Sequence, residues 1–102
     1  MNQKVLELAE IKSSAAKVAE IYNLKKITLF GSYALGKETN SSDIDLLVDF
    51  GPRPTSIYKI AGVKLKMEEL TGKDVDVVAL PIPNGSILEI DREVLLYEQQ
   101  GL

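Results

Sequence analysis

Two aspartates two residues apart, Asp43 and Asp45, open the apolar run DIDLLVDF, and a glycine-serine pair, Gly31-Ser32, closes the apolar run ITLF; ten residues separate the pairs. The first run alternates in part, with Ile44, Leu46, Val48 and Phe50 on one face and Asp43, Asp45, Leu47 and Asp49 on the other, as a strand would. On that strand the carboxylates of Asp43 and Asp45 project from one face, roughly 6.5 to 7 Å apart along the chain. One or two magnesium ions could bridge them, because two like charges placed together at the mouth of an apolar strand are unfavourable without a cation. The plainer alternative is a D-x-D that starts a strand at the solvent edge, and the pair alone does not choose between them.

Gly31 and Ser32 follow the other strand where a turn can aim backbone N–H groups and a hydroxyl outward, which suits phosphate oxygens. Glycine permits close approach to the backbone, and a short helix starting near Ser32 would add its dipole. A lone G-S is more often an ordinary turn. The spacing raises both signals. If the first strand ends at Ser32 and the second begins at Asp43, the two can pair antiparallel, and a triphosphate at Gly31 and Ser32 would lie over metal at Asp43 and Asp45, as metal-assisted nucleotidyl transfer requires.

A third acid, Asp76, sits between Val75 and Val77 in VDVVAL, where an unpartnered carboxylate is costly unless it serves a site or reaches water. As the third carboxylate it would help hold metal and take the proton of an attacking hydroxyl. The alternative is an edge aspartate facing solvent; Asp74 is a rival, although its place beside Gly72 and Lys73 reads as a turn. Asp49 shares the face of the first pair but lies about 13 Å further along and is expected to face solvent. Lys37, Lys73 and Arg92 could neutralise phosphate charge, but scattered surface lysines are the commoner explanation.

The chain has no cysteine and no histidine. Disulfides, thiolate or imidazole metal sites and histidine-based nucleophilic catalysis are excluded, leaving carboxylates, hydroxyls, lysines or a bound ion.

The elements that must position these residues follow from periodicity. Val5, Leu8, Ile11, Ala15, Val18 and Tyr22 predict an amphipathic helix over Asn2–Asn23. ITLF predicts a strand, residues 31 to 42 a loop with at most a short helix, and DIDLLVDF a second strand. GPRPTS breaks the chain, and Thr55 or Ser56 could cap a helix running to about Leu70 with Ile60, Val63, Met67 and Leu70 as its stripe. Val75 to Leu80 predicts a third strand. Ile87, Ile90, Val94 and Tyr97 recur at helical spacing and predict a last helix over Ser86–Gln99. The expected architecture is α/β, a small mixed sheet of about three strands flanked by helices in the order helix, strand, short helix, strand, helix, strand, helix.

At 102 residues the chain fits one domain, 1–102, with 45% hydrophobic and 26% charged residues. So short a chain can build one core but hardly a deep cleft, so a second subunit or a homodimer is a natural expectation. The charged N-terminus reads as neither a secretory signal nor a membrane span, and a cytoplasmic protein with no membrane association is the expectation. A net charge of −3 with scattered basic residues argues against direct nucleic-acid binding.

Gly31-Ser32, ten residues, then Asp43-Ile44-Asp45 resembles the G-S-x10-D-x-D signature of the nucleotidyltransferase superfamily related to DNA polymerase β. Phe30-Gly31-Ser32-Tyr33-Ala34 and Ser42-Asp43-Ile44-Asp45-Leu46-Leu47-Val48 are similar, almost residue for residue, to its minimal (MNT) branch. The resemblance extends to Val75-Asp76-Val77-Val78 and to Val94-Leu95-Leu96-Tyr97, and so spans most of the chain. It implies the polymerase β-like nucleotidyltransferase core, with Asp43, Asp45 and Asp76 as catalytic metal ligands for two magnesium ions, and Gly31 and Ser32 on the β- and γ-phosphates of ATP. Many minimal members are encoded beside a small helical HEPN partner, a ribonuclease-type toxin, and act as antitoxins by moving AMP from ATP onto a tyrosine of that partner. Leu35 departs from the pattern, standing where many members have an arginine, and removes one basic contact near the phosphates.

The resulting expectation is a magnesium-dependent transferase of AMP to a hydroxyl, of the protein adenylyltransferase type, the hydroxyl belonging to a tyrosine of a HEPN-type toxin partner. The competing expectation is a weakly active or inactive binding module that neutralises its partner by complex formation. A small-molecule or nucleic-acid nucleotidyltransferase fits less well, for want of a second domain and of basic charge.

Overall fold

The computed structural model describes residues 7–36, 43–52, 54–80 and 93–100. In chain order these form α1 (Leu8–Tyr22), β1 (Lys26–Phe30), α2 (Ser32–Leu35), β2 (Ile44–Asp49), α3 (Ile57–Thr71), β3 (Val75–Ala79) and β4 (Val94–Glu98). The four strands make one sheet in the order β3-β2-β1-β4. β1 runs antiparallel to both β2 and β4, whereas β2 and β3 are parallel and joined through α3. That crossover is what a parallel pair demands, since a tight hairpin cannot link parallel strands.

The helices begin and end where local chemistry permits. α1 stops at Asn23, which takes the left-handed conformation (φ 54°, ψ 54°) open to asparagine, and Leu24 N–H then donates to Ala19 O at 3.0 Å. Of the two capping residues expected for α3 it is Ser56 that acts, its Oγ accepting from Tyr58 N–H at 3.1 Å.

One hydrophobic cluster unites the described elements. α1 contributes Ile11, Ala15, Val18 and Ala19, α3 contributes Val63 and Met67, and the strands contribute Ile27, Leu29, Ile44, Leu46, Val48, Val75 and Leu96. Of the expected stripes, Leu8 and Leu70 are exposed and lie outside this core. α1 and α3 approach closely where Gly62 meets Tyr22; a Cβ at Gly62 would stand 2.6 Å from the tyrosine hydroxyl. Glycine in mid-helix costs about 1 kcal/mol of helix propensity relative to alanine, and the close helix contact is what it allows in return.

The last element corrects the sequence expectation. Val94–Glu98 is a strand and not part of a helix over Ser86–Gln99; Ile87 and Ile90 lie outside the described residues, as do Asn2 to Leu6 of the expected first helix. The segment VLLYE is rich in strand formers, and β1 without it would leave a row of backbone groups unpaired. Pairing of Lys26 with Glu98, Ile27 with Tyr97, Thr28 with Leu95 and Leu29 with Val94 satisfies that edge, and an irregularity between Ile27 and Thr28 accommodates Leu96, which is buried. The sheet accordingly has four strands where three were expected.

Candidate active site

The antiparallel pairing of β1 and β2 sets Phe30 opposite Asp45, so the chain leaves β1 at the point where β2 presents its acids. Gly31 follows at φ 76° and ψ −155°, a backbone conformation that side-chain-bearing residues rarely adopt. It also lies directly against Asp45. A Cβ built on Gly31 would overlap Asp45 Oδ2 and come within 3.0 Å of its Cγ, so only a hydrogen fits between that backbone and the carboxylate.

Ser32 opens α2 and is half-buried, with Leu35 N–H donating to Gly31 O at 3.1 Å. At four residues α2 is too short for a useful macrodipole; what it offers is the Ser32 hydroxyl and the first N–H groups of a helical turn, which have no acceptor within the helix. Leu35, half-buried, ends the turn.

The parallel pairing of β2 and β3 sets Asp45 beside Asp76, and the ladder starts with Ile44 N–H donating to Asp74 O at 2.9 Å. Asp43 and Asp76 are exposed and Asp45 is half-buried. Burial first, then the charges of Asp76 and Asp43 and a hydrogen bond with Asp76, hold the Asp45 carboxyl above its ordinary value. The structure thus gathers Asp43, Asp45 and Asp76 with Gly31 and Ser32 at one end of the sheet. Asp74 does not join them: its backbone carbonyl serves the ladder and its side chain is exposed at the turn before β3.

Among the described residues no three acidic, histidine or cysteine side chains already form a group set to hold an ion. The donor chemistry nonetheless fits a hard divalent cation, since every candidate ligand is a carboxylate oxygen and the crowding at Asp45 is what a cation relieves.

Asp49 has a different task from the solvent-facing one expected. It is half-buried, at the far end of β2, and its Oδ1 accepts from Gly51 N–H at 2.9 Å to shape the turn towards α3. Lys73 is half-buried near the start of β3, and Lys37 and Arg92 lie outside the described residues. A cleft of about 430 Å³ lined by Phe50, Thr55, Ser56 and Lys59 opens at that same far end, away from the acids.

Residue-type reasoning missed Lys64 and Glu68. They are four apart on α3, a spacing that announces an ion pair, but nothing in the spacing shows that both also reach β3. Lys64 Nζ lies 2.7 Å from Glu68 Oε2 and donates to Val75 O at 2.9 Å, while Val75 N–H donates to Glu68 Oε2 at 3.0 Å.

The profile of a family described as "Nucleotidyltransferase domain" matches residues 11–97. The protein adenylyltransferase MntA of Thermococcus cleftensis is 36% identical over 78 residues, covering 72% of this chain and 78% of the relative. The Methanocaldococcus jannaschii protein MJ0128 is 36% identical over 95 residues, covering 88% of this chain and 96% of the relative. Among solved structures, a Y104A mutant of an MntA-HpeT toxin–antitoxin superposes with a TM-score of 0.68 at 26% identity, covering 87% of this chain and 73% of that one. Among the described residues no helix is long and apolar enough to cross a membrane.

Proposed function

We propose that this chain, which belongs to the nucleotidyltransferase domain family and is a nucleotidyltransferase, moves AMP from ATP onto a hydroxyl of a protein partner, a tyrosine of a HEPN-type toxin, and thereby acts as its antitoxin in the cytoplasm. The observation that carries this reading is the wedging of the Asp45 carboxylate between the Gly31 backbone and Asp76, which unites a phosphate loop and a carboxylate cluster. The name of the T. cleftensis relative and the toxin–antitoxin nature of the solved neighbour support the donor and the kind of partner.

In this reading Gly31 and Ser32 hold the β- and γ-phosphates, the glycine by leaving its backbone bare and the serine through its hydroxyl. Asp43, Asp45 and Asp76 would hold magnesium, which would neutralise phosphate charge and favour ionisation of the attacking hydroxyl. Asp76, on the edge strand and exposed, faces the side from which an acceptor can approach and takes its proton. The acceptor oxygen bonds to the α-phosphorus, the bond from that phosphorus to the bridging oxygen breaks, and pyrophosphate leaves. Among the described residues nothing forms a second wall for the acceptor, which favours an acceptor on another subunit.

A second reading, in which the chain neutralises its partner by binding alone, draws on one observation: the described carboxylates are gathered but not closed into a finished ion site. Incubation with the partner and magnesium, using ATP labelled at the α- or the γ-phosphate, separates the two. Transfer of α-label alone is expected. Transfer of γ-label would make the reaction phosphorylation, and transfer of neither would favour the binding module.

A further inference from the structure

Among the described residues β3 is an edge of the sheet, and its backbone groups alternate between β2 and the side away from it. Because Asp74 O accepts from Ile44 N–H, the groups of Val75 point the other way, to the free edge. Both are taken by α3. Glu68 Oε2 accepts the Val75 N–H at 3.0 Å, Lys64 Nζ donates to the Val75 carbonyl at 2.9 Å, and the two side chains close the ring at 2.7 Å.

The Val75 carbonyl belongs to the peptide plane that leads into Asp76. That plane is held by Lys64 on its outer side and by the ladder to β2 on its inner side, and so the direction in which Asp76 leaves the strand is set from both sides. The charge of Asp76 also reaches Lys64, whose ammonium is held protonated above its ordinary range first by Glu68 and further by Asp76 and Asp74.

We propose that Lys64 and Glu68 are positioning residues for Asp76, a clamp on the free edge of β3 that fixes the third carboxylate of the active site. The inference rests on the reading of Asp76 as a metal-binding acid. The simpler role for such a pair is to blunt an exposed strand edge, which would affect stability alone.

The test uses the full chain and magnesium alone, following the Asp76 amide by NMR, with AMP transfer measured in parallel. In Glu68→Ala the magnesium midpoint should rise about tenfold and kcat fall by a similar factor, the scale usual for residues that orient metal ligands, with KM for ATP unchanged. Glu68→Gln, which keeps an acceptor for both partners, should restore most of each. Lys64→Met is the second variant, should the alanine protein not fold. Its midpoint should also rise although a positive charge beside the site has gone, and a lower midpoint would overturn the proposal.

A Glu68→Ala protein that melts earlier but titrates at the wild-type midpoint would reduce the clamp to edge protection. Wild-type protein that takes up no magnesium would instead sink the metal reading. Hydrogen exchange at the Asp76 amide, which needs no metal, then decides the clamp: faster exchange in Glu68→Ala supports it and unchanged exchange overturns it.

Discussion

Gly31 and Asp45 touch: the backbone of the first leaves room only for hydrogen against Oδ2 of the second. The contact joins the loop that follows β1 to the acid in β2 that the antiparallel register places beside it. The loop at Gly31 and the acids of β2 are therefore one structure, and a change at either should be felt by both.

Gly31→Ala tests that contact. The added methyl must displace the Asp45 carboxylate, and a residue other than glycine at φ 76° carries backbone strain of about 1–3 kcal/mol. Folding should survive with a lower melting temperature, while AMP transfer falls by about 100-fold or more. Transfer within a fewfold of wild type would show that the contact is incidental.

Asp45→Asn should separate stability from activity. Burial and the neighbouring acids disfavour the charged carboxylate, so a neutral isostere removes repulsion in the absence of metal. In magnesium-free buffer the variant should melt above wild type, and added magnesium should raise the melting temperature of wild type only. Transfer should fall by about 100-fold. A variant less stable than wild type without metal would mean that the acids do not strain one another.

The Lys64–Glu68 pair gives stability a defined dependence on pH. Glu68 is held below its ordinary value of 4.5, first by the hydrogen bond from Lys64 and then by that from Val75 N–H, and Lys64 is held above its ordinary value of 10.5, first by Glu68. For the acid, the contribution is complete above 4.5 and disappears as pH falls through the lower folded value; for the base, it is complete below 10.5 and disappears as pH rises through the higher folded value. Chemical denaturation of wild type and Glu68→Gln should differ by a constant amount between those limits, and the difference should shrink in acid. A difference that persists unchanged in acid would show that the pair's charge is unimportant.

Met67→Ala addresses the core beneath the site. Met67 is fully buried where α3 packs on the sheet, and truncation should cost about 2–5 kcal/mol in denaturant unfolding. A loss well under 1 kcal/mol would mean that α3 is not anchored as described.

Much of this was legible before any coordinates. The spacing from Gly31-Ser32 to Asp43-Ile44-Asp45 implied two antiparallel strands joined by a short excursion, and register places Phe30 opposite Asp45. Asp76 was readable as a costly acid in an apolar strand, but only the parallel pairing of β2 with β3 sets it beside Asp45 and leaves Asp74 at the turn. What misled was local period. Val94 and Tyr97 are three apart and satisfy a helix, yet the unpaired edge of β1, invisible to any window of a few residues, makes them a strand. The clamp was hidden for a similar reason: an i, i+4 pair is local, whereas its hold on Val75 depends on the return of the chain after α3.

The most direct test of the central claim is transfer of α-labelled AMP from ATP to the partner in the presence of magnesium, with wild type and Asp43→Ala compared at equal complex concentration and partner activity followed in the same samples. Labelled, neutralised partner is expected with wild type, and unlabelled, still active partner with the variant. Neutralisation by the variant equal to that by wild type, without label, would contradict it and leave the chain as a binding module.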